Sequence, residues 1–371
     1  MARPHLTLAA LATAAVPGID LVNASGFTAH GDADYLSALL TDRDGSHWII
    51  RIPRNPRAEA QQSADLVALR ALSPGVRERL PFTISTYAGQ VAHGSTRAIV
   101  YRFVYGSKVG LGDLGAGPDG LAASAGRALA AVHSLQTGFV ADAGLPQLAP
   151  IEALRSAVSV IDRAAATGLV PQPLLERWQK AVDDQALWQF QPAVINGALS
   201  AESLLVQDRT VTGILGWHDL RVGDPARDLA WVLGARDEGA VDSAFDAYLG
   251  VRPGDRQVRQ RATLYAELEV AKWLLHGTDT RSTDIVDDAV EMLGGLVDST
   301  ENDVMNPLHT QKVPTAPTSV QASAAPAAGA GAAAGAGAAT ATATGPTDAE
   351  DGIVHSDEEL AEFLARAERA V

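Results

Sequence analysis

The chain has 371 residues, 47% hydrophobic and 20% charged, enough for one large domain or two ordinary ones with a buried core; a peptide or a fibre is excluded. Its 29 basic and 44 acidic residues leave a net charge of −15, which argues against nucleic acid or an anionic membrane as the main partner. Cysteine is absent, which removes disulfides, thiolate catalysis, cysteine zinc sites and iron–sulfur ligation together.

The chain opens with Arg3 and an apolar run from Leu6 to Val16, a pattern that a secretory signal also shows. The spacing of Leu6, Leu8, Ala9, Leu11, Ala12 and Ala15 instead predicts a first helix with one apolar face, ended by Pro17-Gly18. The run is too short to span a bilayer, and no later stretch reaches the ~18 unbroken apolar residues of a membrane helix. The expectation is a cytoplasmic protein with no membrane segment. Strands are expected at Ile19 to Val22, Leu36 to Leu40 and, after the Asp44-Gly45 turn, His47 to Ile52, with a second set at Thr83 to Tyr87 and Ala98 to Val104. Between the two sets, Leu66, Leu69 and Leu72 give residues 58–72 helical periodicity.

Residues 118–190 read as helical, with alanine-rich segments at 120–135 and 150–167. Short strands return at Ala193 to Asn196, Ser203 to Gln207 and Thr212 to Trp217, and helices follow to about Thr300. A small β-rich lobe, then a larger helical one with a late β excursion, predicts a two-lobed, protein-kinase-like α+β fold. The lobes are placed at 1–105 and 106–305. Near residue 312 the composition shifts to Ala, Gly, Thr, Pro and Ser, with nothing large to bury, so 306–350 is assigned as a disordered linker. In the last segment, 351–371, Ser356 and Glu359 form a capping box, and Leu360, Phe363 and Leu364 share one face of a short acidic helix. A helix this short is marginal in water, so its apolar stripe is a candidate contact for a protein partner.

The informative stretch runs from Val194 to Trp231. Its second half, Trp217 followed by Gly223-Asp224-Pro225-Ala226-Arg227-Asp228-Leu229-Ala230, resembles the W-x5-G-D-P-x-x-D-L-A segment of the aminoglycoside and macrolide phosphotransferases. The resemblance covers about residues 1–300, with Arg51 on the strand that carries the family's phosphate-anchoring lysine, Val100 to Gly106 at the hinge and Gly126 to His133 in the next helix. It implies a kinase-like fold, ATP or GTP as phosphoryl donor, Mg²⁺ and a small-molecule acceptor.

The first half departs from that family. Asn196-Gly197-Ala198 stands where the family has His-Gly-Asp, Ser203 where it has the metal-binding Asn, and Gly216 where it has the metal-binding Asp. A methyl group cannot accept the acceptor's proton, and neither Gly216 nor Ser203 supplies a carboxylate to a cation that is usually anchored by one or two. Arg51 can still pair phosphate oxygens. The implied reading is a catalytically deficient, pseudokinase-like protein that binds a small ligand or a protein, with ATP or GTP as a candidate ligand and Mg²⁺ doubtful.

The rival reading is an active kinase with a relocated metal site, using Glu202 or Asp219, or His218 as base; strand alternation argues against it, since three positions from Gly216 turns Asp219 to the opposite face. A third reading makes the tail helix the functional element. Asp224 and Asp228 are read as structural, a short carboxylate before Pro225 capping the first turn of a helix. Asp65, more than Glu59, is the candidate helix carboxylate for Arg51. Tyr265, Glu267, Glu269 and Trp273 fall where the family binds its acceptor, or are simply helix core and surface.

Overall fold

In the computed structural model the described residues are 4–27, 34–301 and Leu308. Helix α1 (Pro4–Ala15) leads into strands β1 (Leu21–Gly26), β2 (Tyr35–Asp42) and β3 (His47–Pro53), then helices α2 (Pro56–Ala71) and α3 (Pro74–Arg77). Strands β4 (Thr83–Ile84), β5 (Tyr87–His93), β6 (Thr96–Arg102) and β7 (Ser107–Lys108) follow. The N-terminal sheet has the order β1-β2-β3-β6-β5 and is antiparallel throughout. β3 shows why both faces are covered. Trp48, Ile50 and Ile52 pack with Leu8, Ala12 and Ala15 of α1, whereas Ile49 on the alternate face joins Leu66, Leu69, Ile99 and Tyr101. Leu6, expected on the buried face of α1, is solvent-exposed; Leu8, Ala12 and Ala15 are enough to cover the sheet.

The second lobe adds α4 (Leu121–His133), α5 (Gly138–Asp142), α6 (Pro150–Ala166) and α7 (Gln172–Asp183), then β8 (Ala193–Ile195), β9 (Leu204–Gln207), β10 (Thr210–Ile214) and β11 (Arg221–Gly223). Helices α8 (Ala226–Leu229), α9 (Glu238–Val251), α10 (Val258–Thr280) and α11 (Thr283–Glu301) complete it. Ala153, Ala157, Ile161 and Ala164 recur at three- and four-residue steps along α6, and these are its buried positions. They join a core built around Trp178, Phe245, Tyr248, Leu264, Leu268 and Leu274. Leu308, inside the stretch expected to be linker, is buried in that core.

The expected two-lobed, kinase-like arrangement of a β-rich lobe and a helical lobe is observed, with three local corrections. The expected strand 83–87 is two strands: β4 pairs parallel with β10 in the helical lobe, and β5 begins at Tyr87 in the other sheet. Ser203 belongs to a 3₁₀ turn, Ala201–Ser203, before β9. The strand expected over 212–217 stops at Ile214, because Gly216 takes a left-handed φ of +71° and breaks the extended path. Residues from 309 on, with Leu360, Phe363 and Leu364, lie outside the described residues, as does the tail helix expected there. No helix of the described residues is long and apolar enough to cross a membrane.

Candidate functional site

The loop after β8 carries Asn196, Gly197 and Ala198, and a buried carboxylate holds it from behind. Asp228 accepts the backbone N–H groups of Asn196 at 2.7 Å and Gly197 at 2.8 Å, and Nε2 of His133 lies 3.2 Å from it. Nδ1 of His133 is in turn 3.0 Å from the Tyr248 hydroxyl. Asp228, read from the sequence only as structural, therefore positions the loop. Asp224 is the capping residue: it accepts the Ala226 N–H at 3.0 Å, and it also receives Arg261 at 2.8 and 3.1 Å and the Tyr265 hydroxyl at 3.0 Å. Arg261 has no solvent exposure and pairs Asp255 as well. Burial alone would lower its pKa, but the two carboxylates more than offset that and raise it.

Asn196 is fully buried and donates from Nδ2 to the Gly216 carbonyl over 2.9 Å, while its Oδ1 accepts the Ala198 N–H at 3.2 Å. Ala198 itself is exposed. Gly197 has φ +86°, and a β-carbon there would stand 2.5 Å from the Asp219 carbonyl oxygen and 2.9 Å from Nε and Nη2 of Arg221. Only glycine fits that backbone, so the loop's path is fixed although its end residue is a methyl group. Arg227 adds a further hold, donating from Nε to the Gly197 carbonyl at 3.2 Å.

The positions expected to hold metal are apart from that task. Ser203 is held in its own turn, its Oγ accepting the Ser200 N–H at 3.3 Å. Gly216 has open space where a side chain would project. Glu202 lies exposed on the 3₁₀ turn. Asp219 pairs with Arg221. The strand-alternation argument against Asp219 therefore does not apply, since residues 217–220 form a turn closed by the Leu220 N–H on the Trp217 carbonyl; the guanidinium is what occupies the carboxylate. Among the described residues no group of three or more His, Cys, Asp or Glu side chains is arranged to hold a metal ion.

On the facing lobe, Arg51 rises from β3 with its guanidinium 4.1 Å from the Tyr35 ring centre. Asp65 of α2 accepts the Trp217 N–H at 2.7 Å, so it ties α2 to the Gly216 loop as well as feeling the charge of Arg51. Burial pushes its carboxyl pKa up, against the Trp217 N–H, Arg51, His218 and Arg77, which draw it down. Glu59 sits in the first turn of α2. Trp217 is fully buried, its indole donating to the Ile214 carbonyl at 3.0 Å.

Of the residues expected near an acceptor, Tyr265 and Glu267 are buried and structural, Glu267 receiving Arg177 at 2.9 Å and the Trp178 indole at 2.8 Å. Burial drives the Tyr265 phenol far up, and Asp224 adds to it. Glu269 pairs Lys272, and Trp273 donates to Asp288, both at the surface. Sequence reasoning missed two groupings. At the hinge, Phe103 and Tyr105 pack edge to face at 5.2 Å, with His47 and Phe27 against them. Beside Gly197 stand Arg221 and Arg227, visible as residues but with no pattern to mark them.

Comparison with known proteins agrees with the fold. A solved structure of the macrolide 2′-phosphotransferase MphH from Brachybacterium faecium superposes with a TM-score of 0.61 at 21% identity, covering 78% of this chain and 97% of that one. The GDP complex of the aminoglycoside 2′-phosphotransferase-IIIa superposes with a TM-score of 0.63 at 16% identity, covering 80% of this chain and 100% of that one. A protein of Bacillus subtilis strain 168, described as the uncharacterized protein YcbJ, is 24% identical over 299 residues, 74% of this chain and 94% of its own. At these identities the solved structures speak for the fold alone. The sequence model of the phosphotransferase enzyme family, named APH, matches residues 28–268, well over half of the chain, and the chain belongs to that family.

Proposed function

We propose that this chain is a binding protein on the phosphotransferase fold, deficient in the family's Mg²⁺-dependent chemistry. One observation carries the reading: the loop that would present the base is fully built and pinned by Asp228, Asn196 and Arg227, yet it ends in the methyl group of Ala198. Phosphoryl transfer depends on positioning and on neutralising charge with Mg²⁺. The residues present do not suit that cation. Gly216 offers no oxygen, Ser203 offers a hydroxyl committed to its own turn, Asp219 is paired to Arg221, and Glu202 lies on an exposed turn. Loss of one electrostatic group commonly costs about 10²- to 10³-fold in rate.

The neighbours' complexes with GDP and with GDP plus kanamycin support a small ligand in the cleft. Arg51, on the strand where the family carries its phosphate-anchoring lysine, is assigned to phosphate oxygens, so ATP or GTP binding, where it occurs, depends little on Mg²⁺. The test is transfer from ATP or GTP to macrolides and aminoglycosides, with none expected. Robust turnover abolished by Glu202→Gln or Asp219→Asn would overturn the reading in favour of a relocated metal site. The converse variant, Ala198→Asp with Ser203→Asn and Gly216→Asp, is expected to make ATP binding tighten many-fold on adding Mg²⁺. Aspartate tolerates a left-handed backbone better than most residues, and the space at Gly216 is open.

A further inference from the structure

Arg221 and Arg227 both stand against Gly197, the residue before Ala198. Arg227 uses its Nε on the Gly197 carbonyl at 3.2 Å. Its terminal amines have no partner among the described residues, and it is half-buried rather than solvated. Arg221 places Nε and Nη2 over the Gly197 α-carbon, with its side chain 16% exposed, and its Nε is buried without an acceptor among the described residues. Its one partner carboxylate is Asp219, which is itself 38% exposed and so can be displaced into water. Asp228 lies close enough for its charge to act on Arg221, but its oxygens are engaged by two backbone N–H groups and His133, and it makes no direct ion pair with either arginine.

Ala198, the next residue, is exposed and carries only a methyl group. We propose that the Ala198 opening is a site for a phosphate group, the terminal amines of Arg227 and Arg221 pairing its oxygens while Asp219 swings off Arg221. Guanidinium forks match phosphate oxygens bidentately, and two of them against one loop suit a tetrahedral anion with three free oxygens. The same charge disfavours a polyamine acceptor at this spot. The proposal rests on the reading that position 198 no longer serves as a base, but it concerns binding alone and needs neither nucleotide nor metal.

The test is calorimetry on the full-length chain, without nucleotide or divalent cation, using inorganic phosphate and glycerol 3-phosphate. Both are expected to bind, and the tighter of the two tells whether the site takes free phosphate or an organic monoester. Ala198→Asp, which puts a tethered carboxylate into the opening without touching either arginine, is expected to weaken binding at least tenfold. Arg227→Gln is expected to do the same, and Asp219→Asn to tighten binding several-fold. Absence of binding, or binding unchanged by Ala198→Asp, overturns the site even if Arg227→Gln fails to fold. Kinase turnover by the wild-type chain would sink the deficient-enzyme reading while leaving these binding results to stand or fall separately.

Discussion

The side-chain amide of Asn196 donates to the carbonyl oxygen of Gly216 across 2.9 Å and joins the two loops that in an active kinase would hold the base and the metal. Asn196 is fully buried, so its amide has no water to turn to. Asn196→Ala is expected to cost about 1–3 kcal/mol in denaturant unfolding, the penalty for stranding buried polar groups. Asn196→Asp should cost more than alanine, because the same-sized carboxylate sets an acceptor against the Gly216 carbonyl. The opposite order would show that the contact contributes nothing to holding the loops.

Arg261 and Asp224 form a second fixed point beneath the site, both essentially without solvent exposure. Removing one member strands a buried charge, so Arg261→Leu is expected to lose about 3–5 kcal/mol. The double variant Arg261→Leu with Asp224→Leu should lose clearly less than the sum of the singles, the coupling expected of residues in contact. Additive losses in a double-mutant cycle would contradict a direct interaction.

The raised pKa of Asp65 sets a pH dependence. A carboxyl whose pKa is higher in the folded state binds its proton more tightly there, so its contribution is fully present below the ordinary carboxylate pKa. That contribution is lost as pH rises through the folded value. Asp65→Asn keeps an oxygen for the Trp217 N–H and cannot ionise. Melting temperature plotted against pH is therefore expected to fall less steeply above the acid range for the variant than for the parent chain. A parallel pair of curves would refute the assignment.

Helices α4 and α9 meet at Gly126, where an added β-carbon would lie 2.1 Å from the Ala244 carbonyl oxygen. That contact is with backbone, which cannot turn aside. Gly126→Ala is expected to force the helices apart and cost about 1–3 kcal/mol, the usual penalty of overpacking, despite alanine's better helix propensity. A stabilised variant would mean that the two helices slide freely.

Most strands and helices, the periodicity of α2, the helical stretch of α6 and the departure from the family's catalytic residues were legible in the chain, because periodicity and residue identity are local. So was the glycine at 216, whose absence of a carboxylate needs no coordinates. The partners of the charged residues were not legible. Asp224 and Asp228 lie four apart in one motif, yet one meets Arg261, 37 positions on, and the other meets His133, 95 positions back. Strand β4 looked continuous with β5 until its pairing with β10 placed it in the other sheet. Asp219 looked like a spare metal ligand until the turn after Gly216 brought it to Arg221. In each case the deciding contact joins side chains or strands that the sequence leaves unmarked as neighbours. Folding sets them side by side because buried charges and strand edges must find partners once water is gone.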